Sequence, residues 1–252
     1  MMRSVGAAVG AAVLIALAAV AALSAAPPPE GWSIAPTAFD PGSSAEAAPA
    51  DPSANRETGP PASRSIADRV DQRWAAEVSR RTGVATRAIL AYSGAAIAIA
   101  SEQPGCRLGW STLAGLAAVE SHHGTSGGSA VGPDGRVSPP IYGPDLDGTA
   151  YDAVADTDGG VLDGDPSGDR AVGPFQFLPS TWRTWGADGN GDGVADPQQL
   201  DDAALAAGRM LCSYGDLSRV DRWRAAIYGY NHVDSYVDAV ASAANAIAAG
   251  AR

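Results

Sequence analysis

The sequence predicts a single mainly helical domain, set behind an apolar N-terminal segment and a Pro/Ala-rich linker. Seven stretches beyond Ser65 repeat their apolar residues at helical spacing, while no stretch alternates convincingly as a strand. A long interval rich in Gly and Asp divides the helical stretches, and no repeat of solenoid period is present. The 252 residues suffice for one or two domains of ~100 to 200 residues each, and 46% apolar content is ordinary for a chain that buries a core.

The first element comes after Arg3, where an uncharged run from Ser4 to Pro29 has its apolar centre at Val5 to Ala26. Such a run reads as a cleaved secretory signal or a retained membrane anchor, and the two readings stand side by side. Either exports the remainder of the chain to the cell envelope or periplasm, so any membrane association is through this segment alone. Residues 27 to 64 are dominated by Pro, Ala, Ser and Gly without apolar periodicity, the composition of a disordered spacer.

The domain, residues 65 to 252, opens with Ser65 and Asp68 at capping-box spacing. Ile66, Val70, Trp74 and Val78 then mark one helical stripe up to Gly83. A second helix is predicted over Ala85 to Ser101. A third is capped by Ser111 and places Leu113, Leu116, Ala117 and Glu120 on one face. The 47 residues from Gly124 to Arg170 carry 11 Gly and 9 Asp, a length of irregular chain that in a compact domain is functional or disordered, with room for short hairpins. Helical patterns resume at Ser180 to Trp185. The next has Asp196 as cap and Pro197 at the first position, leading Leu200, Ala204, Ala207 and Leu211. Val220, Trp223 and Ile227 mark another helix, and Val233, Val237, Val240, Ala244 and Ile247 the last, which ends before Gly250.

Charge narrows the chemistry. Seventeen basic against 28 acidic residues give a net charge of −11, which argues against a nucleic-acid partner. Every basic residue is Arg, so Schiff-base and P-loop lysine chemistry are excluded for these residues. The two cysteines, Cys106 and Cys212, read as one disulfide in an exported chain, with two separate buried thiols as the alternative.

Only six acids are Glu, and Glu120 is the last of them. A carboxyl on an apolar helical face has its ionisation opposed by desolvation, which suits a general acid. The competing reading is a boundary residue paired with Arg170 or Arg183. The sequence Gly115-Leu116-Ala117-Ala118-Val119-Glu120-Ser121-His122-His123-Gly124 is succeeded in order by Ala171-Val172-Gly173-Pro174-Phe175-Gln176-Phe177-Leu178-Pro179-Ser180-Thr181-Trp182 and by Tyr230-Asn231-His232 with Tyr236. This ordered set resembles lytic murein transglycosylases of the membrane-bound B type, over roughly Ser65 to Ala249, and implies a lysozyme-like fold.

The resemblance further implies cleavage of the β-1,4 bond between N-acetylmuramic acid and N-acetylglucosamine in peptidoglycan glycan strands without net hydrolysis. Glu120 would act as acid and then as base, with no cofactor required for the chemistry. Gln176 and Asn231 map onto positions that hydrogen-bond the sugars, and Tyr230 and Tyr236 onto aromatic cleft positions; Ser167 and Tyr92 match further substrate positions by spacing. The plainer reading makes Gln176 and Asn231 turn-capping residues and the tyrosines core. The pair of histidines after Ser121 and the length of the Gly/Asp interval depart from the family pattern.

Asp188, Asn190 and Asp192, with Gly193 next, place oxygen ligands and a glycine as in the first half of an EF-hand loop. Val194 supplies a carbonyl and Asp196 a further acid. Position 12 is Gln199, so a structural Ca²⁺ there would need Asp196, Asp201 or Asp202 to close the site; the alternative is a solvated Asp/Gly turn. Two other functional readings remain. One is a muramidase-type hydrolase on the same fold, drawing a second carboxylate from the loop. The other is a non-catalytic peptidoglycan-binding protein that docks other cell-envelope proteins.

Overall fold

A computed structural model describes residues 48–51, 65–149 and 152–252. The apolar N-terminal segment and most of the linker lie outside the described residues. The described chain is mainly helical: a 3-10 turn at Ile66–Arg69, then α1 (Gln72–Thr82), α2 (Thr86–Glu102), α3 (Trp110–Ser121), α4 (Pro179–Trp185), α5 (Leu200–Cys212), α6 (Val220–Tyr230) and α7 (Asp234–Ala251). Between α3 and α4 the two short strands β1 (Ala130–Val131) and β2 (Val137–Ser138) pair antiparallel, Val131 opposite Val137. The Gly/Asp interval therefore does contain a hairpin.

Helix α2 is apolar on nearly every side because it is buried on nearly every side, from Ala88 through Ala95 and again at Ala98 and Ile99. It packs on the 3-10 turn, α1, α3 and α5, while α3 lies along α7. That last approach is close. A Cβ at Gly115 would stand 2.8 Å from both Cβ and N of Ala244 and 2.9 Å from the carbonyl oxygen of Val240, so glycine lets α3 seat against α7. A single hydrophobic cluster runs from Ala48 to Ile247.

Several boundaries differ from the sequence reading. The stripe from Ile66 to Val78 is not one helix: Val70 is extended and pairs with Ala50, and Asp71 starts α1 by accepting from the amides of Arg73 and Trp74. Ala48–Asp51, part of the expected spacer, is thus held against the domain, with Asp51 N donating to the Arg69 carbonyl at 2.9 Å. Helix α3 starts one residue before Ser111, which is buried inside its first turn, and Gly109 takes the cap position. Gln199 rather than Asp196 caps α5, its side chain accepting from the Asp201 amide; Asp196 and Pro197 belong to the preceding turn. Val220 is 40% exposed at the start of α6, and α7 continues through Gly250 to Ala251.

The Cys106–Cys212 disulfide is formed, with Cα atoms 5.3 Å apart across a sequence separation of 106 residues. It fastens the last residue of α5 to the turn that leads into α3.

Candidate active site

Glu120 lies in the last turn of α3, one position before Ser121. Its neighbours on the same face, Leu113, Leu116 and Ala117, are fully buried, and the carboxyl itself is sunk among protein atoms while the residue keeps part of its surface open. Burial raises its pKa from 4.5 to about 8, and a hydrogen bond from the Tyr236 hydroxyl to Oε1 opposes the rise. Among the described residues Glu120 has no ion pair. Arg170 is taken up by Asp145 and the Asp163 carbonyl, and Arg183 donates to the Thr157 carbonyl. The boundary reading of Glu120, a surface acid satisfied by an arginine, finds neither arginine at its side.

Tyr236, 1% exposed on the first turn of α7, comes to Glu120 across 116 residues of sequence. Tyr230, the last residue of α6, donates its hydroxyl to the Phe175 carbonyl at 2.6 Å. Burial first, and then the negative charge of Glu120, push the hydroxyl pKa of both tyrosines well above the ordinary value, so both stay protonated donors. Asn231 ends α6 with extended backbone and is 2% exposed, and its buried Oδ1 has no hydrogen-bond partner among the described residues. A buried amide oxygen left without a donor costs about 1–3 kcal/mol, so this atom has room for one further hydrogen bond, from water or from a ligand.

Gln176 comes after Phe175 in a tight turn whose Gly173 carbonyl accepts both its backbone N, at 3.1 Å, and its Nε2, at 2.9 Å. Its φ of +50° is left-handed backbone, uncommon outside glycine and held here by the surrounding turn. The capping reading of Gln176 is thus half right: Nε2 caps the turn, and among the described residues nothing donates to Oε1.

Tyr92 lies in the interior of α2 with no exposed surface; its ring stands edge-on to Phe175 and its hydroxyl is 3.2 Å from His123 Nδ1. It therefore supports the Phe175 turn and His123 from below and has no face of its own toward a ligand. Ser167 is not brought to the cluster. It is exposed in the Gly/Asp interval, where its Oγ donates to Asp165 at 2.5 Å.

Two participants carry no role in the sequence reading. Ser121, fully buried, donates its Oγ to the Pro174 carbonyl at 2.6 Å and accepts from the Gly124 amide at 2.8 Å, locking the end of the Glu120 helix to the Gln176 turn. A small hydroxyl directly after a helix-borne Glu and three residues before a glycine was the available signal. His123 has left-handed backbone, as does His122, and burial lowers its pKa to about 4, so it is neutral at physiological pH.

In the loop 188–196 the side chains of Asp188, Asn190 and Asp192 accept backbone amides of the loop itself, Asp188 taking those of Gly191, Asp192 and Gly193. Asp196 pairs with Arg136 at 2.7 Å. Of the three acids considered for closing the loop, Asp201 is spent in a buried pair with Arg87 and Ser65. Asp202 faces the loop, accepting the amides of Gly189, Asn190 and Asp196, and burial raises its pKa to about 6 against those bonds. Gln199 is turned away, its Nε2 donating to the Asp134 carbonyl. The donors are all hard oxygens, as Ca²⁺ requires, and most already hold backbone amides. Elsewhere, Asp156, Asp158 and Asp169 bring carboxylate oxygens within 4.8 Å of one another, a grouping able to take a metal ion.

Compared with protein-family models, curated proteins and solved structures, the chain matches none.

Proposed function

We propose that this protein is a peptidoglycan lytic transglycosylase with Glu120 as its single acid and base, acting as an exported enzyme on glycan strands and built on a lysozyme-like arrangement of its helices. The observation that carries the proposal is a buried carboxyl without an arginine partner among the described residues, hydrogen-bonded by Tyr236 and joined through Tyr230 and Ser121 to the turn that bears Gln176. These groups come from three ordered motifs, far apart in sequence, that the resemblance to the B-type enzymes joins.

The proton inventory runs through one carboxyl. Glu120 gives its proton to the glycosidic oxygen as the bond from C1 breaks and the N-acetylglucosamine end leaves. The resulting carboxylate takes the proton of the muramyl C6 hydroxyl while that oxygen bonds to C1, forming the 1,6-anhydro ring. Glu120 ends as it began and no water is consumed. Ordinary retaining and inverting glycosidases need two carboxyl groups; here the substrate's acetamido group supports the cationic centre. Asn231 Oδ1, buried in the free protein, would accept an acetamido N–H once its side chain turns toward the substrate, and Gln176 Oε1 is suited to a second sugar donor.

Three outcomes test the parts of this scheme. Tyr236→Phe removes the bond that lowers the Glu120 pKa, so the alkaline limb of the pH–activity profile is expected to move upward; an unmoved limb would detach Tyr236 from the acid. Asn231→Ala removes a buried acceptor that has no partner among the described residues. Glycan cleavage is expected to fall at least about tenfold while the thermal midpoint changes little, whereas a large loss of stability with full activity would make Asn231 structural.

The third concerns a structural Ca²⁺, which would be held by Asp188, Asn190, Asp192, the Val194 carbonyl and Asp196. A native-state ligand raises the thermal midpoint relative to chelator. The rise is expected to vanish in Asp192→Ala and persist in Asp158→Ala. The reverse would move the ion to the Asp156 group, and no rise in the wild type would remove it.

A further inference from the structure

Residues 141–143 run antiparallel to residues 171–173 and are fixed from both sides. Tyr142 bridges to Val172, Gly143 N donates to the Ala171 carbonyl at 2.8 Å, and Gly173 N donates to the Ile141 carbonyl at 2.9 Å. Buried Gln198 completes the hold, accepting the Ile141 amide at 3.0 Å and donating to the Ile141 carbonyl at 2.8 Å. Side chains of paired extended segments alternate between two faces, so Gly143 and Ala171 share the face opposite to that of Tyr142 and Val172. The Gly143 face meets the Gln176 carboxamide: a Cβ at Gly143 would stand 3.0 Å from Gln176 Oε1 and 3.0 Å from the Ala171 Cβ.

Glycine at this position is not demanded by the backbone. The φ of Gly143 is outside the left-handed region, so the chain there could carry an L side chain. What a side chain would disturb is the carboxamide. Gln176 is held by its own left-handed turn and by the bond from Nε2 to the Gly173 carbonyl at 2.9 Å, so Oε1 moves away from a methyl group only by straining that bond. Among the described residues Oε1 takes no hydrogen bond, yet unlike Asn231 Oδ1 it is not sealed from solvent. An acceptor that is fixed, unpaired and reachable is thereby covered on one side by a bare Cα alone.

We infer that Gly143 is a positioning residue for glycan binding: its missing side chain keeps Gln176 Oε1 in place and open to one sugar donor, and any side chain there displaces or covers that acceptor. This rests on the reading of Glu120 and Gln176 as a glycan-cleaving site and adds to it a position outside the three motifs. Gly143 acts through Gln176 and takes no part in bond cleavage. The hydrogen bond it protects is equal in the ground and transition states, so Gly143→Ala raises KM on glycan and leaves kcat in place.

The test uses the full chain carrying Glu120→Gln as the parent, which holds substrate uncut, and a tetrasaccharide of alternating N-acetylglucosamine and N-acetylmuramic acid as the probe in a calorimetric titration. Gly143→Ala is expected to weaken binding about tenfold, and Gln176→Ala about as much. The two together are expected to bind no more weakly than Gln176→Ala alone, because the methyl group then has no carboxamide to disturb. Ala171→Gly, added to Gly143→Ala, removes the other close contact and is expected to leave the loss in place. It also carries the comparison should Gly143→Ala alone fail to fold, which the thermal midpoint of each variant reports. Unchanged binding by Gly143→Ala, additive losses with Gln176→Ala, or recovery through Ala171→Gly would each overturn the role of Gly143 while leaving the catalytic reading in place. If the parent does not bind the tetrasaccharide, that role falls as well; should the wild type also leave peptidoglycan intact, the functional reading falls with it.

Discussion

Glu120→Gln is expected to abolish glycan cleavage, by at least about a thousandfold, while making the protein more stable at neutral and alkaline pH. The activity loss comes from the absence of any second proton donor in the proposed site: general acid–base groups contribute ~10²–10⁴-fold, and here one group serves both steps. The stability gain comes from linkage. The folded state holds the Glu120 proton to about pH 8, whereas an unfolded chain releases it near 4.5. The folded state therefore binds the extra proton between those values, and the wild type loses stability as pH rises through that window. Glutamine carries no proton to lose and can still accept from Tyr236. The variant's advantage should be near zero at pH 4 and reach about 2 kcal/mol by pH 8, less than the full shift implies because the residue is only partly buried and its surroundings can relax around the charged form. Thermal midpoints of both proteins across pH 4 to 9 measure it. Parallel curves would show that Glu120 is not held protonated by its surroundings.

Loss of the disulfide should be the largest effect on stability. Cys106 and Cys212 are 4% and 5% exposed, and the bridge spans a sequence separation of 106 residues that contains α3, both strands, the Gly/Asp interval, α4 and α5. In the chain-entropy account such a closure stabilises by up to ~4 to 5 kcal/mol. For a domain of this size that corresponds to about 10 °C in the midpoint. Cys106→Ser with Cys212→Ser is expected to show this drop, and reductant should lower the wild-type midpoint toward that of the double variant without further effect on it. A wild-type midpoint insensitive to complete reduction would contradict the account.

The legible part of the fold was what local periodicity encodes. Leu200, Ala204, Ala207 and Leu211 lie on the buried face of α5, and Trp223 and Ile227 on that of α6, because an amphipathic stripe and a buried face are the same fact seen in sequence and in space. What failed depended on distant partners. Val70 continues the helical stripe, yet pairing with Ala50 draws it into extended backbone, and Ala50 lies in a stretch whose composition carries no signal for it. Asp196 and Pro197 have the residue types of a helix start, but Asp202 draws the Asp196 amide into the preceding loop and the helix begins at Leu200. Ser111 lost the cap because Trp110 is already helical and buried.

The candidate site divides in the same way. Glu120 on an apolar face was visible in the spacing of α3. The hydroxyl that reaches it from Tyr236 was not, since no local pattern joins residues 116 apart, and only the resemblance of ordered motifs placed them in one cluster. Ser167, chosen by spacing, remains in an exposed loop beside Asp165. Tyr92 is wholly buried and acts through Phe175 and His123.

The product of the wild-type reaction tests the central claim most directly. Purified peptidoglycan would be digested with the full chain and the released muropeptides analysed by mass spectrometry for the chemistry of their muramyl ends. The account predicts 1,6-anhydromuramyl ends, formed without uptake of water. Reducing muramic acid ends, each heavier by one water, would show a hydrolase in place of a transglycosylase, and intact glycan would contradict the enzymatic reading altogether.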